Sequence, residues 1–132
     1  MKQELQEKLF SDFPALFPRC TDPMKSAMFF GFDCGDGWYD LIHRLAEQIT
    51  EVCERKKCKC TATQVKEKYG TLRFYVDDTE HGYEIENLIE DAEAISSKTC
   101  EICGKPGELI GERWYRTLCD EHNKYKVKAI NE

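Results

Sequence analysis

The chain has 132 residues, of which 41% are hydrophobic and 11% aromatic, and it carries a formal net charge of −6 at pH 7. This length fits one domain with an ordinary core and a small appendage. The negative balance argues against a general polyanion-binding protein. No apolar run approaches the roughly 18 residues of a membrane span, and the charged start of the chain lacks the apolar region of a secretory signal, so we expect a cytoplasmic protein.

The first part of the chain predicts a short helix, an irregular apolar segment and a long helix. Residues 3–10 place apolar side chains near one face, and Pro14 ends this pattern. The Phe-rich segment 28–32 is either a short strand packed on the core or an exposed binding patch. Asp36 is the expected N-cap of an amphipathic helix over about 38–55, which keeps a 3.6-residue apolar period. We expect this to be the central helix.

The middle of the chain predicts a β-hairpin and a second amphipathic helix. Residues 61–68 and 71–76 flank the turn Tyr69-Gly70 as the arms of a hairpin do, and the second arm alternates between apolar and polar side chains. The helix is expected over 83–97, with acidic side chains on its outer face. Its inward-facing residues are predicted to be Tyr83, Ile85, Leu88, Ile89, Ala92 and Ile95.

The most specific pattern lies near the end of the chain. Cys100 and Cys103 form a CxxC pair, and Cys119 and His122 form a CxxH pair. Three thiolates and one imidazole can close a tetrahedron around zinc. Because four protein ligands leave no position for water, we predict one structural Zn²⁺ and not a catalytic ion.

The segment around these ligands predicts a small module of its own. A hairpin with arms at 109–110 and 113–115 is expected between the ligand pairs, and a terminal helix is expected over about 119–129. A knuckle, a hairpin and helix-borne ligands form the arrangement called a treble clef, and modules of this size depend on the ion to fold. We predict an α+β chain with a core domain at 1–99, in which a central amphipathic helix and a β-hairpin are flanked by helices. A treble-clef-like zinc module at 100–132 packs on it.

Eight cysteines without an export signal favour a reducing compartment over a disulfide framework. Cys53, Cys58 and Cys60, with Cys34 as a fourth ligand, are candidates for a second metal site, although buried free thiols are the simpler interpretation. No motif frames Cys34 and His43 as a nucleophile pair. The chain also lacks the hairpin histidine of a His-Asn-His nuclease and the HxE motif of a zinc deaminase, so we predict no enzymatic activity.

Charge is distributed unevenly along the chain. Residues 54–76 carry a net charge of +5, and the following 23 residues carry −7. Lys66, Lys68, Arg73 and Tyr75 can share one face of the hairpin. Cations can bind a phosphate, and a neighbouring aromatic ring can stack on a base, so these four residues are a candidate ligand site. The alternative is that the acidic helix simply neutralises the basic block.

Three stretches, FDCGDGWYDLI at 32–42, QVKEKYGTLRFYV at 64–76 and CEICGKPG…WYRTLCDEH at 100–122, resemble a family of short uncharacterised proteins from bacteriophages and prophages. The similarity covers most of the chain from residue 32 onward. It implies a cytosolic life inside an infected bacterium, and it brings no established activity or catalytic residue. Phage accessory proteins of this size often act by binding, as inhibitors of host proteins or as counter-defence proteins.

We therefore expect a non-enzymatic accessory protein that binds and inhibits or sequesters a host factor. The partner is a host protein or a small anionic ligand, such as a nucleotide-derived signal. A zinc-dependent nucleic-acid-binding regulator is the alternative, and it predicts binding that weakens steeply with salt. No membrane partner is expected, and a homo-oligomer stays open.

Overall fold

The computed structural model of the chain describes residues 1–77 and 82–123. Within these residues the fold is mixed α+β, with three α-helices and two small sheets, as the sequence predicts. The helices are α1 (Gln3–Asp12), α2 (Tyr39–Lys56) and α3 (Gly82–Ser96), and the strands are β1 (Phe32–Asp33), β2 (Ala62–Lys68), β3 (Thr71–Val76), β4 (Glu108–Ile110) and β5 (Arg116–Leu118). None of the helices in the described part of the chain is long and apolar enough to cross a membrane.

The larger sheet has the strand order β1-β2-β3. Strands β2 and β3 form the predicted antiparallel hairpin, and β1 runs parallel to β2. The turn residues Tyr69 and Gly70 both have positive φ, at 54° and 83°, as a type I′ turn requires. The hairpin prediction is therefore confirmed, together with the residues at its turn.

Helix α3 covers the free edge of β3. The Leu72 N–H donates to the Ser96 hydroxyl at 2.8 Å, and the Phe74 N–H donates to the Glu93 carboxylate at 3.0 Å. An uncovered edge strand would present unpaired donors to other chains. Side chains of α3 supply the acceptors that a fourth strand would otherwise provide.

The core lies between α2, α3 and the inner face of the larger sheet. The predicted stripe of α2 is buried, and Val65 and Leu72 meet it from the sheet. Each such side chain stabilises the fold by about 1.5–3 kcal/mol. The large side chains with almost no exposed surface include Leu9, Phe17, Phe32, Trp38, Ile42, Leu45, Ile49, Val52, Val65, Leu72 and Ile85.

The Phe-rich segment is divided between core and surface. Residues Ala27–Phe30 form a 3₁₀ turn, and the predicted strand is limited to Phe32, the first residue of β1. Met28 and Phe32 are buried, whereas Phe29 and Phe30 are 45% and 69% exposed and contact each other edge to face. The segment therefore contributes two side chains to the core and exposes two, and a binding role for the exposed pair stays a prediction.

Two further local predictions are wrong. Asp36 does not cap α2, because it begins a 3₁₀ turn and its carboxylate accepts a hydrogen bond from the Lys2 N–H at 2.7 Å. Tyr83 and Ile95 do not face the core, since they are 83% and 52% exposed. Both lie near the ends of α3, where the helical period continues but the packing surface does not.

Candidate metal centre

Four side chains from the end of the chain converge on one point. The ligand atoms of Cys100, Cys103, Cys119 and His122 all lie within 4.8 Å of one another. The sulfurs of Cys103 and Cys119 are 3.6 Å apart, and His122 Nδ1 lies 3.6 Å from the Cys100 sulfur and 3.2 Å from the Cys119 sulfur. A tetrahedral zinc-sized ion requires edges of about 3.8 Å between sulfurs and about 3.6 Å between sulfur and nitrogen. The cluster is therefore compatible with a metal site.

The first ligand pair lies on a tight backbone knuckle. Burial acts to raise the pKa of the Cys100 thiol, but backbone N–H groups of Cys119, Cys103 and Ile102 donate to its sulfur and lower the pKa to about 6. Gly104 follows at φ 83°, and its N–H donates to the Cys100 carbonyl at 2.9 Å. The backbone thus stabilises the thiolate, which is the form that binds a metal.

The second pair follows the β4–β5 hairpin, whose geometry differs from the prediction. Its arms are 108–110 and 116–118, so a five-residue loop replaces the expected two-residue turn. After β5, the His122 N–H donates to the Cys119 carbonyl at 3.2 Å and brings the second pair together. The remainder of the predicted helix over 119–129 lies outside the described residues.

Two glycines of the core touch the backbone of the knuckle. The Gly35 N–H donates to the Glu101 carboxylate at 2.8 Å, and the Gly37 N–H donates to the Glu101 carbonyl at 2.7 Å. A Cβ atom at Gly37 would lie 2.2 Å from the Cys100 carbonyl oxygen, and one at Gly35 would lie 2.3 Å from that of Glu101. Only glycine fits here, because any side chain would collide with the backbone beside the metal cluster.

Buried polar groups complete this docking surface. The fully buried Trp38 donates its indole N–H to the Thr99 carbonyl at 2.9 Å. On the other side, the fully buried Thr117 hydroxyl donates to the Gly70 carbonyl at 2.7 Å. Sequence reasoning missed this role for Trp38 and Thr117, and it assigned no role to Gly35. The spacing of residues within a motif gives no sign of a contact between distant segments.

The hairpin brings the predicted ligand residues onto one face of the sheet. Lys66 lies opposite Arg73 in register, and Tyr75 lies opposite Gln64 on the same face. Lys68 lies one pair further toward the turn, and its ammonium group sits 5.5 Å from the centre of the Tyr69 ring. We call this surface, formed by residues 64, 66, 68, 69, 71, 73 and 75, the outer face.

The acidic helix α3 pairs with another part of the basic block, as the alternative interpretation expects for that part. Its Glu84 pairs with Arg55 and, at 3.1 Å, with Lys56, both at the end of α2. Within residues 1–77 and 82–123, Lys66, Lys68 and Arg73 form no ion pair. The Arg73 Nε is buried and has no hydrogen-bond acceptor. Like charges placed directly across a strand pair repel each other, so this arrangement costs stability unless an anion lies nearby.

One acidic residue of the sheet, Asp33, lies at the margin of this face. It lies beside Lys66 in the register of β1 with β2, on the same side of the sheet, and it is exposed. No ion pair joins the two side chains in the part of the chain that the structure describes. The outer face therefore has three cations and one peripheral carboxylate.

The other predicted thiol ligands do not form a comparable cluster. Cys53, Cys58 and Cys60 line a cleft of about 490 Å³, but among the described residues they do not belong to a group as close as the four-ligand cluster. Burial raises the pKa of Cys53 to about 11 and those of Cys34 and Cys60 to about 12. The ring nitrogens of His43 face two carboxylates and no thiol. The raised pKa values of Cys34, Cys53 and Cys60 favour the protonated thiols near neutral pH, which disfavours nucleophilic chemistry at these three residues.

Comparisons of the chain with models of known protein families, with curated proteins and with solved structures found no match. The phage resemblance therefore stays a prediction. The four-ligand cluster and the outer face are the features that indicate a function.

Proposed function

We propose that this chain is a non-enzymatic, zinc-stabilised accessory protein that binds an anionic, nucleotide-type ligand on its outer face. By binding, it sequesters or inhibits a host factor in the cytoplasm of a phage-infected bacterium. The role in counter-defence follows from the resemblance of three sequence stretches to phage proteins. The ligand class follows from the chemistry of the outer face.

One observation carries the ligand proposal. Lys66, Lys68 and Arg73 share a sheet face and form no ion pair within residues 1–77 and 82–123, although the chain has a net charge of −6 and the acidic helix α3 packs against β3. Guanidinium and ammonium groups are the usual partners of phosphate oxygens. A bound phosphate would accept hydrogen bonds from the Lys66 and Arg73 head groups and remove the repulsion between them.

We propose Zn²⁺ as the ion at the four-ligand cluster and a treble clef as the form of its module. Three sulfurs and one imidazole nitrogen are a donor set that zinc prefers. Four protein ligands leave no open position for water or substrate, which supports a structural ion and no catalytic role. When bound, the ion would stabilise the module against which Gly37 and Trp38 of the core are packed.

The zinc part of the proposal is tested by native mass spectrometry of protein purified from bacterial lysate. One zinc per chain is expected, and Cys103→Ser should remove it. Cys20→Ser is the matched control, because Cys20 is a free thiol outside the cluster. A metal-free wild type, or an ion retained by Cys103→Ser, would contradict the assignment.

The ligand part is tested by calorimetric titration with ADP, GDP and pyrophosphate. The charge-reversed double variant Lys66→Glu/Arg73→Glu should weaken binding at least about tenfold, since each charged hydrogen bond contributes roughly 1.5–3 kcal/mol. Lys8→Glu/Lys25→Glu changes the net charge equally at exposed positions outside the outer face and should bind as the wild type does. Equal binding by both double variants, or no binding of any of these anions to the wild type, would refute the outer face as the site.

A nucleic-acid-binding regulator is the second candidate. The observation that favours it is the pair of exposed aromatic rings near the cations, with Tyr69 66% and Tyr75 44% exposed. Its signature is affinity that falls linearly with the logarithm of the salt concentration. The net charge of −6 opposes it.

A further inference from the structure

The outer face has an ordered sequence of side chains along the hairpin. Tyr75 stands at the end far from the turn, the Lys66–Arg73 pair follows, then Lys68, and Tyr69 stands at the turn. The arrangement is therefore an aromatic ring, three cations and a second aromatic ring. Both rings are accessible, at 44% and 66% exposure.

Strand geometry determines how far apart these groups lie. Side-chain pairs on one face follow each other at about 7 Å, since a strand rises about 3.4 Å per residue. Tyr75 is therefore about 7 Å from the Lys66–Arg73 pair along the strand, and Tyr69 lies about 17 Å from Tyr75. One base cannot contact both rings, because an aromatic contact requires ring centres within about 7 Å.

The Tyr69 ring is held toward the cations. The Lys68 ammonium group lies 5.5 Å from its centre, which is within the range of a cation–π interaction. Tyr69 occupies a turn position with φ 54°, so the backbone presents it at the tip of the hairpin. The residue is 66% exposed, so a base can reach the ring, and base–aromatic stacking is tolerant of base identity.

The polar groups between the rings match phosphate. Lys66 and Arg73 lie directly opposite each other, and neither forms an ion pair within the described residues. A guanidinium group binds phosphate through two parallel N–H donors. A molecule with a phosphate-containing centre and one base on each side would satisfy both tyrosines and all three cations.

We propose that the ligand of the outer face is a dinucleotide, linear or cyclic, with its phosphates at Lys66, Lys68 and Arg73 and its two bases on Tyr69 and Tyr75. This inference rests on the proposed function, and it names the ligand class for the same site. A mononucleotide satisfies the cations but contacts one ring only. Two phosphate-linked nucleosides are the smallest nucleotide ligand that uses the whole face.

The test compares four adenine probes by calorimetric titration: AMP, ADP, linear pApA and cyclic di-AMP, with the corresponding guanine series in parallel. At least one dinucleotide should bind at least about tenfold more tightly than the mononucleotide of the same base. The affinities for linear pApA and cyclic di-AMP show which of the two forms binds more tightly. Tyr69→Ala and Tyr75→Ala should each weaken dinucleotide binding by about 5- to 150-fold, the range expected for the loss of one stacked base.

Matched variants separate stacking from unfolding. Tyr83→Ala removes a tyrosine that is 83% exposed on α3 and should leave binding unchanged. Tyr75→Phe keeps the ring and should bind the dinucleotide as the wild type does. Equal binding by Tyr75→Ala and the wild type would overturn the inference.

The outcomes also distinguish this inference from the proposed function. If AMP or ADP binds as tightly as every dinucleotide, and binding still needs Lys66 and Arg73, the inference is wrong and the proposed function stands. If an oligothymidine strand binds with a steep salt dependence and the dinucleotides do not, the inference is wrong and the nucleic-acid alternative gains support. If no nucleotide or pyrophosphate binds, both are wrong.

Discussion

Gly37 offers the sharpest test of how the metal module is attached to the core. A Cβ added there would lie 2.2 Å from the Cys100 carbonyl oxygen and 2.6 Å from both the Glu101 carbonyl carbon and the Gly104 nitrogen. All three are backbone atoms of the knuckle, so no side-chain rotation relieves the collision. Gly37→Ala therefore forces the module away from the core.

The loss of stability expected for Gly37→Ala follows from the contacts between the core and the knuckle that this substitution breaks. Overpacking a tight contact costs typically about 1–3 kcal/mol. The 2.7 Å hydrogen bond from the Gly37 N–H to the Glu101 carbonyl is also lost, and such a bond contributes about 1 kcal/mol. The free energy of unfolding should fall by about 2–4 kcal/mol, which corresponds to a melting temperature roughly 10 °C lower for a chain of this size.

Urea unfolding of the metal-loaded protein measures this change, with Gly82→Ala as the control. Gly82 has a φ of +70°, but an added Cβ would meet nothing within 4 Å, so its substitution costs backbone strain alone, about 1–2 kcal/mol. Gly37 has no positive φ, so its cost comes from the collision. If Gly37→Ala is no more destabilising than Gly82→Ala, the core loop does not dock on the knuckle as described. The metal content of Gly37→Ala should stay unchanged, because all four ligands belong to the module.

Two further predictions concern the same fold. Trp114 is 77% exposed and Trp38 is fully buried, so the tryptophan fluorescence of Trp114→Phe reports Trp38 alone. Because the Trp38 indole is hydrogen-bonded to Thr99 beside the module, chelation of the metal should loosen this contact and shift the emission to longer wavelength. Unchanged emission after complete metal removal would contradict the idea that the metal stabilises the packing around Trp38. Lys56 and Arg55 donate hydrogen bonds to the Glu84 carboxylate and hold its pKa below the ordinary value of 4.5. A lowered pKa stabilises the folded state above the unfolded pKa, and this contribution is lost as the pH falls through the folded value. In urea titrations, Glu84→Gln should therefore have a slightly lower free energy of unfolding than the wild type at pH 7, and this difference should shrink below pH 4.5. A difference in the free energy of unfolding that does not change with pH would show that the ion pairs of Glu84 do not cause it.

The regular elements could be predicted because their signals are local. The apolar period of α2 and the alternation of the β2–β3 hairpin depend on neighbouring residues, and both elements form nearly where the sequence places them. Two ligand pairs with short spacing likewise indicate a shared site, and the four ligand atoms do converge. The predictions for Asp36 and Tyr83 are wrong because they depend on contacts that are not local in the sequence. Asp36 is used by the distant Lys2 N–H, and Tyr83 continues a helical pattern beyond the surface that α3 packs on.

The sequence by itself determined the helices, the hairpin and the residues of the metal cluster, because each depends on the spacing of chemical groups along the chain. Only the tertiary structure decided what these elements meet. It brings the Gly37 N–H to within hydrogen-bonding distance of the Glu101 carbonyl oxygen. It pairs Glu84 with Arg55 and Lys56, whereas Lys66 and Arg73 form no ion pair in the described residues. Such pairings depend on which segments pack side by side, and packing is set by the summed burial of the whole core.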